Sequence, residues 1–347
     1  MNPLESQLQY PHGDTLPAAG ATLELAPGVL WVRMGLPFAL DHINLWLLHD
    51  GDGWTVVDCG VATDATKASW DSVFATHCTT APVRRIVATH CHPDHVGLAD
   101  WLCTRWQAPL WMSAGEYAFA RMMGAALPGA DGTAALPHFR RHGLNDEAML
   151  AQLEGRKSYY PSLVPAVPHA YRRIQDGDVL RVGDREWQAI TGFGHSPEHV
   201  ALYCASLNLL ISGDMVLPRI STNVSVFAIE PEADPLRLYL SSLAKFAHLP
   251  GDVLVLPSHG RPFRGLHTRI AQLRDHHAAR LEEVRAACAV QPQSAATIVP
   301  LMFRRALDAH QLSFALGEAL AHLHYLSFAG TLQRHIADDG QITFSPM

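Results

Sequence analysis

The sequence has no excess of positive charge. Its 347 residues include 26 Lys and Arg against 33 Asp and Glu, which gives a formal charge of −7. Sequence-independent nucleic-acid binding needs a cationic face, so nucleic acid is an unfavourable partner for this chain. No stretch approaches the ~18 uninterrupted apolar residues of a membrane span. The first residues have neither a cationic start nor an apolar run, so we predict no export signal, no membrane partner and a cytoplasmic location.

Paired cysteines are also missing. The six cysteines are scattered and form no Cys-x-x-Cys pair, which indicates reduced, mostly buried thiols rather than a disulfide framework. Charged residues make up only 17% of the chain and apolar residues 48%, a balance typical of a globular protein with a sizeable core. At the usual ~150 residues per domain, the length suggests about two structural units.

Short apolar runs divide the first part of the chain into predicted strands. They cover residues 21–25, 29–33, 43–48 and 54–58, and their close spacing with Pro and Gly turns favours an antiparallel meander. Beyond these strands, predicted helices alternate with further predicted strands. This alternation is typical of helices packed on a sheet and therefore predicts an α/β fold.

Two later regions differ from this alternation. Residues 113–170 contain five prolines and short helical pieces, so we predict a helical, lid-like insertion outside the main sheet. The end of the chain is predicted to be mainly helical, with one helix beginning at Ser313, and to close with a hairpin over 331–344. Three helices and a hairpin outline a winged helix. We therefore predict a catalytic domain over 1–265 and a winged-helix-like helical domain over 266–347.

Histidine is unusually abundant, with 21 residues in the chain, and histidine is the commonest metal ligand. Three histidines and an aspartate fall within six residues: His90, His92, Asp94 and His95 directly follow the predicted buried strand 83–88. In an extended segment His90 and His92 point the same way. Burying four such side chains without Lys or Arg is costly unless a cation compensates. The cluster therefore predicts a metal site.

Three more residues of the same kinds follow predicted strands, each beside Gly or Pro. His195 follows a strand ending at Thr191, Asp214 follows the strand 209–212, and His259 follows the strand 253–257. In α/β proteins, the loops after strand ends are where sites are placed. We therefore expect these residues to join the first cluster.

The order His-x-His-x-Asp-His, His, Asp, His resembles the metallo-β-lactamase-fold hydrolases, in particular their glyoxalase II-like and lactonase-like branches. The resemblance covers about residues 20–265 and implies an αββα sandwich that holds two divalent metal ions at one edge. Carried over by position, it implies that the first metal is bound by His90, His92 and His195, the second by Asp94, His95 and His259, with Asp214 bridging the two and Asp58 supporting the site from below.

This mixed nitrogen and oxygen set suits zinc, and iron or manganese would also be accepted. A coordinated water has a pKa near ~7, so a metal-bridging hydroxide can attack a carbonyl, with Asp94 as the catalytic group that orients it and carries a proton. We therefore predict a metal-dependent hydrolase acting on the thioester, lactone or ester carbonyl of a small molecule. Met215 and Phe227 are predicted to line the substrate pocket.

Two alternatives stay open. The winged-helix-like tail resembles the superfamily branch that includes a single-strand RNA endonuclease, which makes metal-dependent phosphodiester cleavage the runner-up. The charge of −7 and the lack of an evident basic, base-stacking groove stand against it. Oxidation at iron is the second alternative. Flavodiiron relatives have Glu where this chain has His92, whereas persulfide dioxygenases keep most of the ligands around one iron, so metal analysis is needed to separate them.

The remaining residues of interest are predicted to be structural. We expect His199 to pack beneath the site, and Glu116 and Glu198 to be solvated or to cap helices. An apolar row on the last predicted helix motivates a homodimer prediction. This row consists of Leu312, Phe314, Leu316 and Leu320.

Overall fold

A computed structural model describes residues 4–38, 40–154 and 159–347. A seven-stranded sheet contains its strands in chain order. The first four strands are antiparallel and the last three add in parallel, so the predicted meander is confirmed. The strands are β1 (Thr22–Ala26), β2 (Val29–Gly35), β3 (His42–Asp50), β4 (Gly53–Val57), β5 (Val83–Val87), β6 (Leu110–Met112) and β7 (Tyr171–Arg173).

A second sheet has five strands in the order β12-β11-β10-β9-β8. All its pairs are antiparallel except β11 with β12, which is parallel. Fully buried side chains of both sheets, such as Trp46 and Trp187, form one apolar layer between them. The strands are β8 (Val179–Val182), β9 (Arg185–Gly192), β10 (His199–Cys204), β11 (Leu209–Gly213) and β12 (Leu254–Pro257).

Helices cover the outer faces of both sheets. On the first sheet, α1 (Asp64–His77), α2 (Pro93–Val96) and α3 (Ala99–Trp106) bury an apolar layer around the fully buried Trp70. On the second sheet, α8 (Pro235–Ala244) and the C-terminal helices bury another layer around Tyr239. The predicted αββα sandwich is therefore confirmed.

Between β6 and β7 the chain leaves the sheet and forms helices, as predicted for this region. The three-residue strand β7 then returns to the sheet edge, which the sequence analysis did not predict because two of its three residues are exposed. The helices are α4 (Ala114–Gly124), α5 (Ala135–Arg141), α6 (Glu147–Glu154) and α7 (Tyr159–Leu163).

The chain ends with α9 (Leu266–Val290), α10 (Ala295–Met302), α11 (Ala309–Phe328) and the hairpin β13 (Leu332–Ile336) and β14 (Ile342–Pro346). The order of three helices and a hairpin agrees with the sequence. Its winged-helix character and the boundary between 265 and 266 stay predictions.

The predicted start of the last helix at Ser313 is wrong. The helix begins earlier because the side chain of Asp308 accepts a hydrogen bond from the backbone N–H of Gln311 at 2.8 Å, while the Gln311 side chain bonds back to the N–H of Asp308. Such a reciprocal cap fixes a helix N-terminus. The hydroxyl of Ser313 instead donates to the carbonyl of His310 within the helix.

The apolar row on α11 faces inward. Leu316 and Leu320 are fully buried in the chain's own core, and Leu312 and Phe314 are half-buried. The row therefore stabilises the monomer, and the homodimer stays a prediction without this support. All six cysteines are unpaired and five are buried, as expected from their spacing. Within the described ranges, every helix is too short or too polar to cross a bilayer.

Candidate metal centre

Seven imidazole and carboxylate side chains meet at one edge of the sandwich. Each lies in a loop or short helix that follows a strand: β5, β9, β11 or β12. They form two groups, within each of which one potential ligand atom per residue lies within 4.8 Å of the others. The structure thus brings together all seven residues named from the sequence. The first donor group is His90, His92, His195 and Asp214, and the second donor group is Asp94, His95 and His259.

Nitrogen atoms in the first donor group point at one another. Nε2 of His90 lies 2.9 Å from Nδ1 of His92 and 3.2 Å from Nε2 of His195. Burial, together with the neighbouring imidazoles, lowers the pKa of His90 well below its usual value. Burial and His195 likewise lower the pKa of His92 to about 3. These rings are therefore neutral at pH 7, which is the form that can bind a metal ion.

Asp214 lies between the two groups. Its Oδ2 is 3.4 Å from Nε2 of His195 and 4.0 Å from Nε2 of His90. Its Oδ1 is 3.5 Å from Nε2 of His259 and 3.6 Å from Nε2 of His95. Each oxygen of this one carboxylate therefore faces a different donor group.

Carboxylates surround the histidines of the second donor group. Burial by itself would lower the pKa of His95, but the carboxylates of Asp58, Asp94 and Asp214 outweigh it and raise that pKa to about 9. Burial would raise the pKa of Asp94, but His95 and His259 lower it to about 2. Buried carboxylates that stay ionised in this way attract a cation.

Backbone and carboxylate acceptors fix the direction of three histidines. Nδ1 of His195 donates to the carbonyl of Asn223, and Nδ1 of His259 donates to the carbonyl of His42, both at 2.8 Å. Nδ1 of His95 donates to Oδ2 of Asp58 at 2.8 Å. In each case Nε2 is left to face the site, an arrangement that is usual for metal-binding histidines.

Whether a cation would fit can be judged from two buried atoms in the site. Within the described part of the chain, Nε2 of His95 and Oδ1 of Asp214 have no hydrogen-bond partner. Leaving a buried polar atom unpaired costs about 1–3 kcal/mol, and more when the group is charged. A divalent cation between these atoms would satisfy both, so the donors present fit a metal ion at the second donor group.

Asp58 supports the site from the end of β4, where the sequence analysis expected it. It is fully buried, and its Oδ1 accepts hydrogen bonds from the N–H of Thr89 at 2.7 Å and from the Thr89 hydroxyl at 3.0 Å. Its backbone φ is 63°, which costs about 1–2 kcal/mol for a residue other than glycine. The turn therefore holds its carboxylate beneath His95 at the expense of some backbone strain.

Glu116 is a site residue that the sequence analysis misjudged. The expectation that it is solvated or caps a helix is wrong, because it is fully buried and bonds two loops. Its Oε2 accepts from the N–H of Cys91 at 2.8 Å, and its Oε1 accepts from the hydroxyl of Ser196 at 2.5 Å and the N–H of Glu198 at 2.7 Å. Glu116 therefore joins the loop of His90 and His92 to the loop of His195.

Asn44 on β3 is a second residue that the sequence did not suggest. It is fully buried, and its Nδ2 donates to the carbonyls of Pro257 at 2.8 Å and Gly260 at 2.9 Å. Its Oδ1 accepts from Nε1 of Trp31 at 2.8 Å. This amide ties the first sheet to the turn that carries His259.

The C-terminal helix α11 contacts the loop that orients His195. The N–H of Val226 donates to the carbonyl of Gly317 at 3.1 Å, and the hydroxyl of Ser225 donates to the carbonyl of Phe314 at 3.4 Å. A Cβ atom at position 317 would lie 2.7 Å from Cβ of Ser225. Only glycine allows this approach, two residues from the carbonyl of Asn223.

The other residues named from the sequence lie around this centre. His199 is fully buried and its Nε2 accepts from the N–H of Asp214 at 3.1 Å, so it lies beneath the site as expected. Met215 is fully buried and lies against Gly192, whereas Phe227 is 42% exposed. Their predicted contact with substrate stays a prediction.

Comparison with known proteins agrees with this geometry. Residues 39–259 match the metallo-beta-lactamase superfamily, and residues 281–347 match the C-terminal domain of metallo-beta-lactamase-like proteins. The chain is similar over its whole length to the crystal structure of a beta-lactamase domain protein from Burkholderia ambifaria, with 58% identity, a TM-score of 0.94 and full coverage of both chains.

Curated relatives are more distant. The chain is 24% identical over 302 residues to the probable metallo-hydrolase YqjP of Bacillus subtilis (strain 168), a match that covers 86% of this chain and 92% of the relative. It is 26% identical over 240 residues to a hydroxyacylglutathione hydrolase of Rhodobacter capsulatus, which covers 69% of this chain and 66% of the relative.

Proposed function

Because the chain belongs to the metallo-β-lactamase superfamily, we propose that it is a hydrolase that depends on two divalent metal ions and cleaves a thioester or lactone carbonyl. The observation that carries this proposal is Asp214, whose two carboxylate oxygens face the two donor groups separately. A carboxylate placed in this way suits a bridging role.

His90, His92 and His195 would hold one ion and Asp94, His95 and His259 the other, with Asp214 shared. When bound, such ions make a coordinated water acidic enough to ionise near pH ~7 and polarise the carbonyl oxygen. Nitrogen and carboxylate donors without thiolate suit zinc, and they also accept iron or manganese.

The protein's own residues supply orientation. Asp94 is half-buried and ionised at neutral pH, so its carboxylate accepts a hydrogen bond from an attacking water and fixes the direction of approach. Asp58, Asn223 and the carbonyl of His42 hold three imidazoles in place. Glu116 keeps the two histidine-bearing loops together without facing the substrate side.

Three observations support the choice of a thioester or lactone. One relative is named as a hydroxyacylglutathione hydrolase, and the formal charge of −7 disfavours a polyanionic nucleic-acid substrate. Helix α7 adds Tyr159 and Tyr160, and the hydroxyl of Tyr160 donates to the carbonyl of Cys91 between His90 and His92; aromatic side chains suit an organic acyl group better than a phosphodiester.

The test combines elemental analysis of the purified protein with a panel of thioesters, lactones and bis-aryl phosphodiesters. We expect about two metal ions per chain and turnover of a thioester or lactone, abolished by a chelator and restored by zinc, iron or manganese. Asp214→Ala, purified in the same way, serves as the control for contaminating hydrolases. Turnover of phosphodiesters alone would contradict the carbonyl assignment, and a single ion per chain would contradict the dinuclear one.

A further inference from the structure

Four aromatic rings from three separate segments meet in one cluster. Phe38 lies between β2 and β3, Tyr159 begins α7, and His310 and Phe314 lie on the first turns of α11. Ring centroids are 6.0 Å apart for Phe38 and His310, 5.5 Å for Tyr159 and His310, and 4.8 Å for His310 and Phe314. We call these four residues the aromatic cluster. All four are half-buried.

One segment of the aromatic cluster is attached to the first donor group through α7. The hydroxyl of Tyr160, the residue after Tyr159, donates to the carbonyl of Cys91 at 2.5 Å. Cys91 stands between His90 and His92 in the chain. Helix α7 also packs against α2, which contains Asp94 and His95. Tyr159 is therefore held close to the ligand-bearing turn.

A second segment is attached through α11. The carbonyl of Phe314 accepts from the hydroxyl of Ser225, and Ser225 also donates to the side chain of Asn223 at 2.8 Å. The backbone carbonyl of Asn223 is the acceptor that orients His195. Phe314 is thus two hydrogen-bonded residues away from a histidine of the first donor group.

The third segment is attached to the second donor group. Phe38 precedes His42 by four residues, and the carbonyl of His42 accepts from Nδ1 of His259. Each segment is thus linked to a loop that carries a donor residue, in two cases by hydrogen bonds and in the third by four residues of chain. The three segments meet at the aromatic cluster. Within the donor groups, His92 and Asp94 are half-buried whereas His90 and His95 are fully buried. A substrate therefore reaches the donors from the side of His92 and Asp94, and α7 is bonded to Cys91, the neighbour of His92.

The geometry points to an apolar subsite: we propose that the aromatic cluster binds the acyl group of the substrate, and that an aryl acyl group fits it best. The inference rests on the proposed function. Rings tilted by 40° to 79° against one another present both faces and edges, which suits a further ring in tilted or edge contact. The negative faces of the rings disfavour an anionic group.

The kinetic test compares phenylacetyl and acetyl thioesters of the same thiol. Phe38→Ala and Phe314→Ala are expected to lower kcat/KM about tenfold for the phenylacetyl compound and less than about twofold for the acetyl compound. Phe328→Ala is the matched control, because Phe328 is 60% exposed at the far end of α11. Metal content and thermal unfolding are measured for each variant, and Tyr159→Leu replaces any variant that unfolds early.

A binding test separates the subsite from the reaction. Calorimetry with the metal-loaded protein should show phenylacetate binding about tenfold more tightly than acetate, and both alanine variants should lose this difference. Equal binding of the two acids, or an unchanged preference in folded variants, overturns the inference. If no thioester is cleaved but the preference depends on the aromatic cluster, the proposed reaction is wrong and the subsite stands.

Discussion

Histidines are buried in several parts of the described chain, and two of these groups differ in their surroundings. At the strand ends, five imidazoles lie among the carboxylates of Asp58, Asp94 and Asp214. Between α9 and α11, His277 and His322 are also fully buried, with Nδ1 of His277 3.2 Å from Nε2 of His322. Nδ1 of His322 donates to a backbone carbonyl, that of Glu318.

The comparison shows that burial alone does not produce a metal site. Burial lowers the pKa of His277 to about 3, with help from the neighbouring imidazoles of His322 and His276, and it lowers that of His322 to about 4. The helix pair is therefore neutral and needs no cation. At the strand ends the carboxylates raise the pKa of His95 instead. The convergence of carboxylates, rather than the number of histidines, distinguishes the two places.

The strongest test of this difference removes the shared carboxylate. Asp214→Ala, and separately His92→Ala, should lower kcat/KM by at least about a thousandfold and reduce the metal content, since each removes a donor. Circular dichroism should show that the fold survives. Full activity in either variant would contradict the site assignment.

A smaller effect is expected from the carboxylate beneath the site. Asp58→Asn removes the charge beside His95 Nδ1 while keeping the shape, so the affinity for metal should fall by about 10–100-fold. Titration with a competing chelator measures this change. Asp50→Asn is the matched control, because Asp50 is a buried aspartate that bonds Thr55 and Arg85 instead. That variant should lose stability without losing metal affinity.

The stability of the region between α9 and α11 should depend on pH through a buried carboxyl group. Burial raises the pKa of Glu318 from 4.5 to about 7. The folded state therefore favours the protonated form, so stability is greatest below pH ~4.5 and falls as pH rises through ~7. Glu318→Gln removes this penalty and should be more stable than the wild type by ~3 kcal/mol at pH 8 and about equal to it at pH 4.

Urea unfolding at the two pH values measures this difference. The control is Glu230→Gln, an exposed residue, whose effect on stability should be small and independent of pH. A Glu318→Gln variant that gains nothing at pH 8 would show that the carboxyl group is compensated when ionised.

The smallest effect belongs to the helix histidines themselves. His277→Leu removes one hydrogen bond to His322, so the free energy of unfolding should change by about 1 kcal/mol. Metal content and kcat should equal those of the wild type, as measured by elemental analysis and steady-state kinetics. Any loss of metal would mean that this pair belongs to a binding site and that the contrast between the two regions is incorrect.

The donors were predictable because each one follows its strand directly. His90, His195, Asp214 and His259 stand beside Gly or Pro or in a short dense motif, and such local patterns are visible in one sequence. The strands themselves have the apolar composition that a buried sheet requires. The coarse fold and the grouping of these seven side chains could therefore be predicted from local information.

The supporting residues were not predictable, because their partners lie far away in the sequence. Asn44 meets carbonyls 213 and 216 residues further along the chain, and Glu116 meets Ser196 80 residues away. A polar side chain in a helix or strand is ordinarily assigned to the surface. Its burial depends on partners that only the folded chain supplies, as does the inward direction of Leu316 and Leu320.

Gly317 has a consequence for how such proteins diversify. The close approach of α11 to Ser225 means that the far end of the chain shares in setting the direction of His195. We expect recombination that exchanges the last helices between relatives to disturb His195 unless the incoming helix also carries glycine at this turn. A side chain of one hydrogen atom would thus limit which C-terminal helices the rest of the chain can accept during evolution.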